Sequence, residues 1–103
     1  MLDLEIRERI LVAKAYLEAL ADTLEAKQEK SAEEETFLPI FQTFFTIDAG
    51  VLDRGFEYLA TIECQSLLRG LLRWYPQHRD ILLRRLSPDI FDQHVKLFED
   101  MLR

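Results

Sequence analysis

Five arginines and a histidine crowd the stretch around Trp74, Tyr75 and Pro76: Arg69, Arg73, Arg79, Arg84 and Arg85, with His78 between them. Guanidinium groups beside aromatic rings suit two kinds of chemistry. They can grip carboxylates or phosphates through several donors at once, and they can anchor a protein partner, because Arg, Trp and Tyr dominate interface energetics. Arg69, Arg73, Trp74, Arg79, Arg84 and Arg85 are therefore expected to form a partner-binding surface, for an acidic helix of another protein or the acidic ridge of a second copy. Phosphate binding accumulates cationic contacts, which a net charge of −6 opposes, so a nucleic-acid regulator using the Arg69 to Arg85 region stands as the less favoured alternative.

Other reactive side chains carry weaker signals. His78 and His94 are the only histidines, and neither has a carboxylate three or four residues before it, so no metal site is expected. His78 reads as a loop residue and His94 as a helix-flank residue. Cys64 shares a helical face with Ala60 and Leu67, where a small buried thiol without an activating base is the plain reading. Glu63 reads as exposed; the alternative is a buried pair with Arg69, Arg73 or an arginine further on. No glycine-rich phosphate loop, Cys-x-x-Cys pair, His-Glu-x-x-His helix or Gly-x-Ser-x-Gly elbow occurs. A non-enzymatic protein without cofactor or metal is expected.

The elements that must position these residues are helices. Ile6, Ile10, Ala13, Leu17, Leu20 and Leu24 recur at steps of four and three, the mark of one apolar stripe along a helix. That first helix starts near Asp3. A reversal near Gln28 to Lys30 and a capping box at Ser31 to Glu34 compete for its far end, with the break placed between Lys30 and Leu38. A second helix, Phe37 to Ile47, carries Phe37, Leu38, Ile40, Phe41, Phe44, Phe45 and Ile47 and is apolar nearly all round. Thr46, Asp48, Gly50, Asp53 and Gly55 then read as breaker and cap residues. A third helix of about twenty residues, Phe56 to Pro76, follows, with Gly70 marking a close helix approach. Pro76 ends it and opens a short fourth helix with Ile81, Leu82, Leu83 and Leu86. Ser87-Pro88-Asp89 is a helix start, with Ser as N-cap and Pro where its missing N–H is harmless. The last helix turns Ile90, Phe91, Val95, Phe98, Met101 and Leu102 to one face.

No period-two strand pattern occurs, so the expected fold is all-α: a single helical domain, residues 1–103, built as a small bundle of about five helices with a long N-terminal one. A parallel coiled coil through the first helix is disfavoured, because Arg9 and Lys14 would face each other as like charges. Leu11, Val12, Ala15, Tyr16 and Ala19 widen its apolar surface beyond a two-stranded seam and suit antiparallel packing. Charge is unevenly spread: ten acidic and five basic residues lie before Phe37, against five and seven from Arg69 onward. Glu18, Asp22, Glu25 and Glu29 form an acidic ridge.

With 49% hydrophobic and 31% charged residues the chain has the composition of a folded domain, and its apolar runs are too short to span a bilayer. An opening without a basic leader, and a lone Cys64, lead to the expectation of a cytoplasmic protein without export or membrane attachment. Leu17, Leu20, Phe41, Phe44 and Phe45 are expected to be core or oligomer interface, on the ground that the apolar helices exceed what one thin domain encloses. The resulting functional expectation is an adaptor, chaperone or regulatory subunit, as a homodimer or in a complex, that works by packing helical faces.

Overall fold

The computed structural model describes residues 2–25 and 32–102. The protein is all-α, a small helical bundle, and no strand occurs among the described residues. Helix α1 is Leu2–Glu25; α2, Ala32–Glu35, is a single turn; α3 is Leu38–Arg54; a 3-10 turn spans Phe56–Ala60; α4 is Ile62–Gln77; α5 is Arg79–Leu83; α6 is Pro88–Met101. The expected reversal near Gln28 to Lys30 lies outside the described residues. No helix among them is long and apolar enough to cross a membrane.

Helix α1 buries Ile6, Ile10, Ala13, Leu17 and Leu24 along the expected stripe, with Ala21 taking the place that Leu20 half leaves. Helix α3 starts where the sequence reading placed it and differs at its far end. It begins at Leu38, with Pro39 in the first turn where a missing N–H needs no partner, so Pro39 neither breaks nor kinks it. It then runs seven residues past Ile47, through Asp48 and Gly50, to Arg54. Gly55 stops it: its φ of +76° is a conformation that side chains resist, and its N–H closes the helix onto the Val51 carbonyl at 2.8 Å. Thr43 and Thr46 do not break the helix because their hydroxyls donate back to the carbonyls of Pro39 and Gln42, both at 2.7 Å.

Gly50 and Gly70 exchange their expected roles. Gly50 is a helical position where a Cβ would overlap the ring of Tyr58, a residue only 2% exposed. The 3-10 turn folds back onto α3 through that gap. At Gly70 an added Cβ would meet nothing within 4 Å, so no helix approaches there. The expected third helix is also split. Thr61 is extended, and its Oγ accepts the Cys64 N–H at 3.2 Å, so that this single residue separates the 3-10 segment from α4. Pro76 sits inside the last turn of α4 rather than ending it, and His78 is the C-cap. Ser87 behaves as expected, its Oγ accepting the Ile90 N–H at 3.2 Å.

Helices α1, α3, α4 and α6 pack as a ring in which α1 and α4 are diagonal. Arg9 meets Asp100 and Tyr16 meets His94, so α1 and α6 run antiparallel. Phe37 at the start of α3 touches Trp74 at the end of α4, which makes that pair antiparallel too. The other diagonal closes at the centre of the bundle, where Phe44 of α3 and Tyr75 of α4 lie 6.1 and 5.1 Å from the Phe98 ring of α6.

One charged group is folded into this interior. Asp48, read as a breaker from sequence, is 3% exposed on the inner face of α3. Its two oxygens take Arg7 at 2.9 Å and Lys14 at 3.1 Å, both from α1. The Asp48 hydrogen bond, first, and its charge raise the Lys14 pKa above its usual value.

Two expectations follow for urea unfolding. Replacing Arg7 and Lys14 together by Ala strands a buried carboxylate and should remove about 3–5 kcal/mol of stability. Asp48→Asn should remove less, about 1–3 kcal/mol, because the two cations left behind are partly exposed and can turn to water. Equal shifts in midpoint would contradict this account. Gly50→Ala should destabilise by about 1–3 kcal/mol through overpacking against Tyr58, whereas Gly70→Ala should stabilise by about 0.5–1 kcal/mol; thermal melts of the two variants should move in opposite directions.

Candidate interaction surfaces

The structure does not gather the expected arginines into one patch. Arg69 and Arg73 stand exposed one turn apart on the outer face of α4, beside Ser66 and Leu72, along a shallow groove of about 360 Å³. Trp74 is half-buried, stacked on His78 at 4.2 Å between ring centres and edge-on to Phe37 at 5.8 Å. Arg85 lies over the other side of that contact, 5.7 Å from the Phe37 ring. Arg79 lies over Phe91, 5.8 Å away on α6. The Arg79 and Arg85 guanidiniums thus cover core aromatics, a packing role that Arg fills through its flat, weakly hydrated face. Arg84 is exposed in the turn after α5. Arg69 and Arg73 form one paired cationic face, and Arg79 and Arg84 are exposed at and beyond the end of α4.

The phenylalanines are enclosed within one chain. Phe37, Phe41 and Phe44 are 1–5% exposed, and Phe45 is half-buried with its ring 6.2 Å from Phe44. Leu17 is core and Leu20 lies half-buried against it. The excess apolar surface lies elsewhere. Leu11 is 46%, Val12 53% and Tyr16 43% exposed on α1, with Val12 and Tyr16 on the flank towards α6. Ala15 and Ala19 are exposed between them. At steps of three and four these residues make a second apolar stripe, opposite the one that packs. Leu52 and Ile62 are also exposed, at the end of the bundle where α3 passes into α4.

Beside that outer stripe a groove of about 500 Å³ runs between α1 and α6. Val12, Ala13 and Leu97 line it, with Glu5, Glu8, Arg9, Lys96 and Asp100 among its charged residues. Arg9 is held by Asp100 at 2.8 Å. His94 also lines the groove, yet it is 2% exposed, not the helix-flank residue expected. Its ring lies 6.0 to 6.4 Å from those of Tyr75, Phe98 and Tyr16, and its Nδ1 is 3.1 Å from the Tyr75 hydroxyl. Burial lowers the His94 pKa to about 4 and raises that of Tyr75, so the pair shares a hydrogen bond between neutral groups.

Cys64 is fully buried, and burial first, then the nearby Glu63 charge, pushes its thiol up to about 11, which leaves it protonated and unreactive at neutral pH. Glu63 itself is exposed and faces Arg54 at 3.8 Å, not any of the arginines beyond it. Among the described residues no group of three or more His, Cys, Asp or Glu side chains could hold a metal ion.

Spacing held clues to the two groups that sequence reading misplaced. Asp48 continues the buried series Phe41, Phe44 and Val51, and Arg7 and Lys14 are two turns apart on one flank of α1. His94 lies between Phe91 and Phe98 at steps of three and four, and with Leu97 it centres the inner face of α6; Ile90, Val95 and Leu102 are only half-buried. Comparison of the chain with protein-family models, curated proteins and solved structures gives no match.

His94 sets the acid limit of the fold. Its folded pKa is depressed, so between about pH 6.5 and 4 the unfolded chain takes up a proton that the folded one refuses. Stability from this residue is complete above about 6.5 and should fall by roughly 3 kcal/mol as the pH drops to about 4. Urea midpoints measured across that range should show the slope in the native chain and in His78→Gln, and lose most of it in His94→Gln. An unchanged slope in His94→Gln would remove His94 as its source.

Proposed function

We propose that this chain is a non-enzymatic helical interaction protein, an adaptor, chaperone or regulatory subunit, which offers the outer face of α1 to a protein partner. The observation that carries the reading is the exposure of Leu11, Val12 and Tyr16 on a helix whose opposite side is already core. A solvent-facing side of a bundle helix is ordinarily polar, and a contiguous apolar patch there marks a contact surface. Full burial of a Val, Leu or aromatic side chain is worth roughly 1.5–3 kcal/mol, so covering three half-exposed ones supplies a useful share of a binding energy. Ala15 and Ala19 between them let a second helix approach closely.

The Arg69 and Arg73 face of α4 is a second, polar surface of the same protein, with far less apolar area to cover. Its role would be steering and orientation of a partner, since exposed charges affect encounter more than affinity.

Site-specific photo-crosslinking in the cell that makes the protein distinguishes the two faces. A photoreactive residue at Val12 should give a discrete adduct with another polypeptide, and one at Asp53, exposed elsewhere on the bundle, should give none. Adducts at Arg73 but not at Val12 would move recognition to α4, and none at either position would remove the interaction reading.

A further inference from the structure

We infer that the partner on the outer face of α1 is a basic amphipathic helix, an apolar ridge flanked by Lys or Arg; this rests on the reading that the face is a contact surface. Charge supports it. Glu8, Glu18 and Asp22 are exposed around the stripe formed by Leu11, Val12, Ala15, Tyr16 and Ala19. Lys14 offsets Glu18, 3.7 Å away, while it also meets Asp48; Arg7 faces Asp48 and Arg9 faces Asp100, so among the described residues no cation of α1 pairs with Glu8 or Asp22. The neighbouring α6 turns Asp92, Glu99 and Asp100 outward against Lys96. The apolar stripe therefore runs between two exposed carboxylates, Glu8 and Asp22, that no cation among the described residues pairs with, and a partner that covers it must bring positive charge or leave them facing its own apolar rim.

Geometry sets the partner's length. From Glu8 to Asp22 the face is fourteen residue steps long, about 21 Å, which matches a partner helix of about four turns. The groove beside Val12 presents Glu5 and Glu8, placed to receive the long basic side chains on one flank of such a helix. A second copy of the chain fits this face poorly. In an antiparallel α1 pair centred on Ala15, Glu8 of each copy lies opposite Asp22 of the other; in a parallel pair Glu8 meets Glu8 and Asp22 meets Asp22. The net charge of −6 on each copy adds to the repulsion.

The test uses two synthetic amphipathic peptides of about 18 residues with one Leu/Ala ridge, flanked by Lys in one and by Glu in the other, and follows the full chain by amide NMR and fluorescence anisotropy. The Lys peptide should bind and shift the amides of residues 8–22, and Glu8→Lys with Asp22→Lys should weaken it by about tenfold or more, as should added salt. Val12→Glu with Tyr16→Glu should weaken it as much, while Leu52→Glu, which alters exposed apolar surface at another place, should not. Equal binding of both peptides, shifts confined to α4 or α6, or self-association abolished by Val12→Glu would overturn the proposal. If neither peptide binds while Val12 still crosslinks to another polypeptide in the cell, the basic-helix proposal fails and the interaction reading stands.

Discussion

The buried carboxylate of Asp48 determines how α1 is turned. An ionised group at 3% exposure inside an apolar helix must be met by charge, and the bundle meets it with Arg7 and Lys14, which lie two turns apart on one flank of α1. A helix held at both cations cannot roll without uncovering Asp48. Packing of Ile6, Ile10, Ala13 and Leu17 agrees with that orientation, and the outer stripe at Leu11, Val12 and Tyr16 is its geometric consequence. The inner and outer faces of α1 are thus assigned by one polar contact acting together with the hydrophobic one.

The centre of the core is aromatic and closes across the diagonal between α3 and α6. Phe44, Tyr75 and Phe98 fill the centre, and His94 completes it with a hydrogen bond to Tyr75 instead of a charge. Gln65 donates to the Leu59 carbonyl at 2.6 Å, and His94 and Tyr75 satisfy one another. Such a core is well specified. It leaves exposed apolar side chains on α1, at Leu11, Val12 and Tyr16, and at the ends of α3 and the start of α4, at Leu38, Leu52 and Ile62, while the phenylalanines of α3 are enclosed.

Charge is distributed as unevenly in space as along the chain. Helices α1 and α6 turn mostly carboxylates outward, while α4 carries Arg69 and Arg73 on its outer face, diagonal to α1. Two of the other arginines also lie over core rings: Arg85, half-buried, over Phe37, and Arg79, still exposed, over Phe91. The apolar outer face of α1 and the acidic rim around it therefore belong to one side of the molecule, which is why the kind of partner can be argued from the fold.

Periodicity determined a good deal by itself. The all-α class, the buried stripe of α1, the enclosed phenylalanines of α3, the buried Cys64 and the Ser87 cap all follow from local rules: the 3.6-residue repeat and the chemistry of helix ends. The α3 terminus, the fate of Gly50 and Gly70, and the burial of Asp48 and His94 do not. Each depends on a residue distant in sequence: Tyr58 against Gly50, Arg7 and Lys14 against Asp48, Tyr75 against His94. A glycine or an aspartate reads as a helix breaker because its local propensity is low, and only tertiary contact can reverse that preference by filling the gap or neutralising the charge. The same holds for the arginines, since whether a guanidinium faces water or covers a ring is decided by what the fold places beside it.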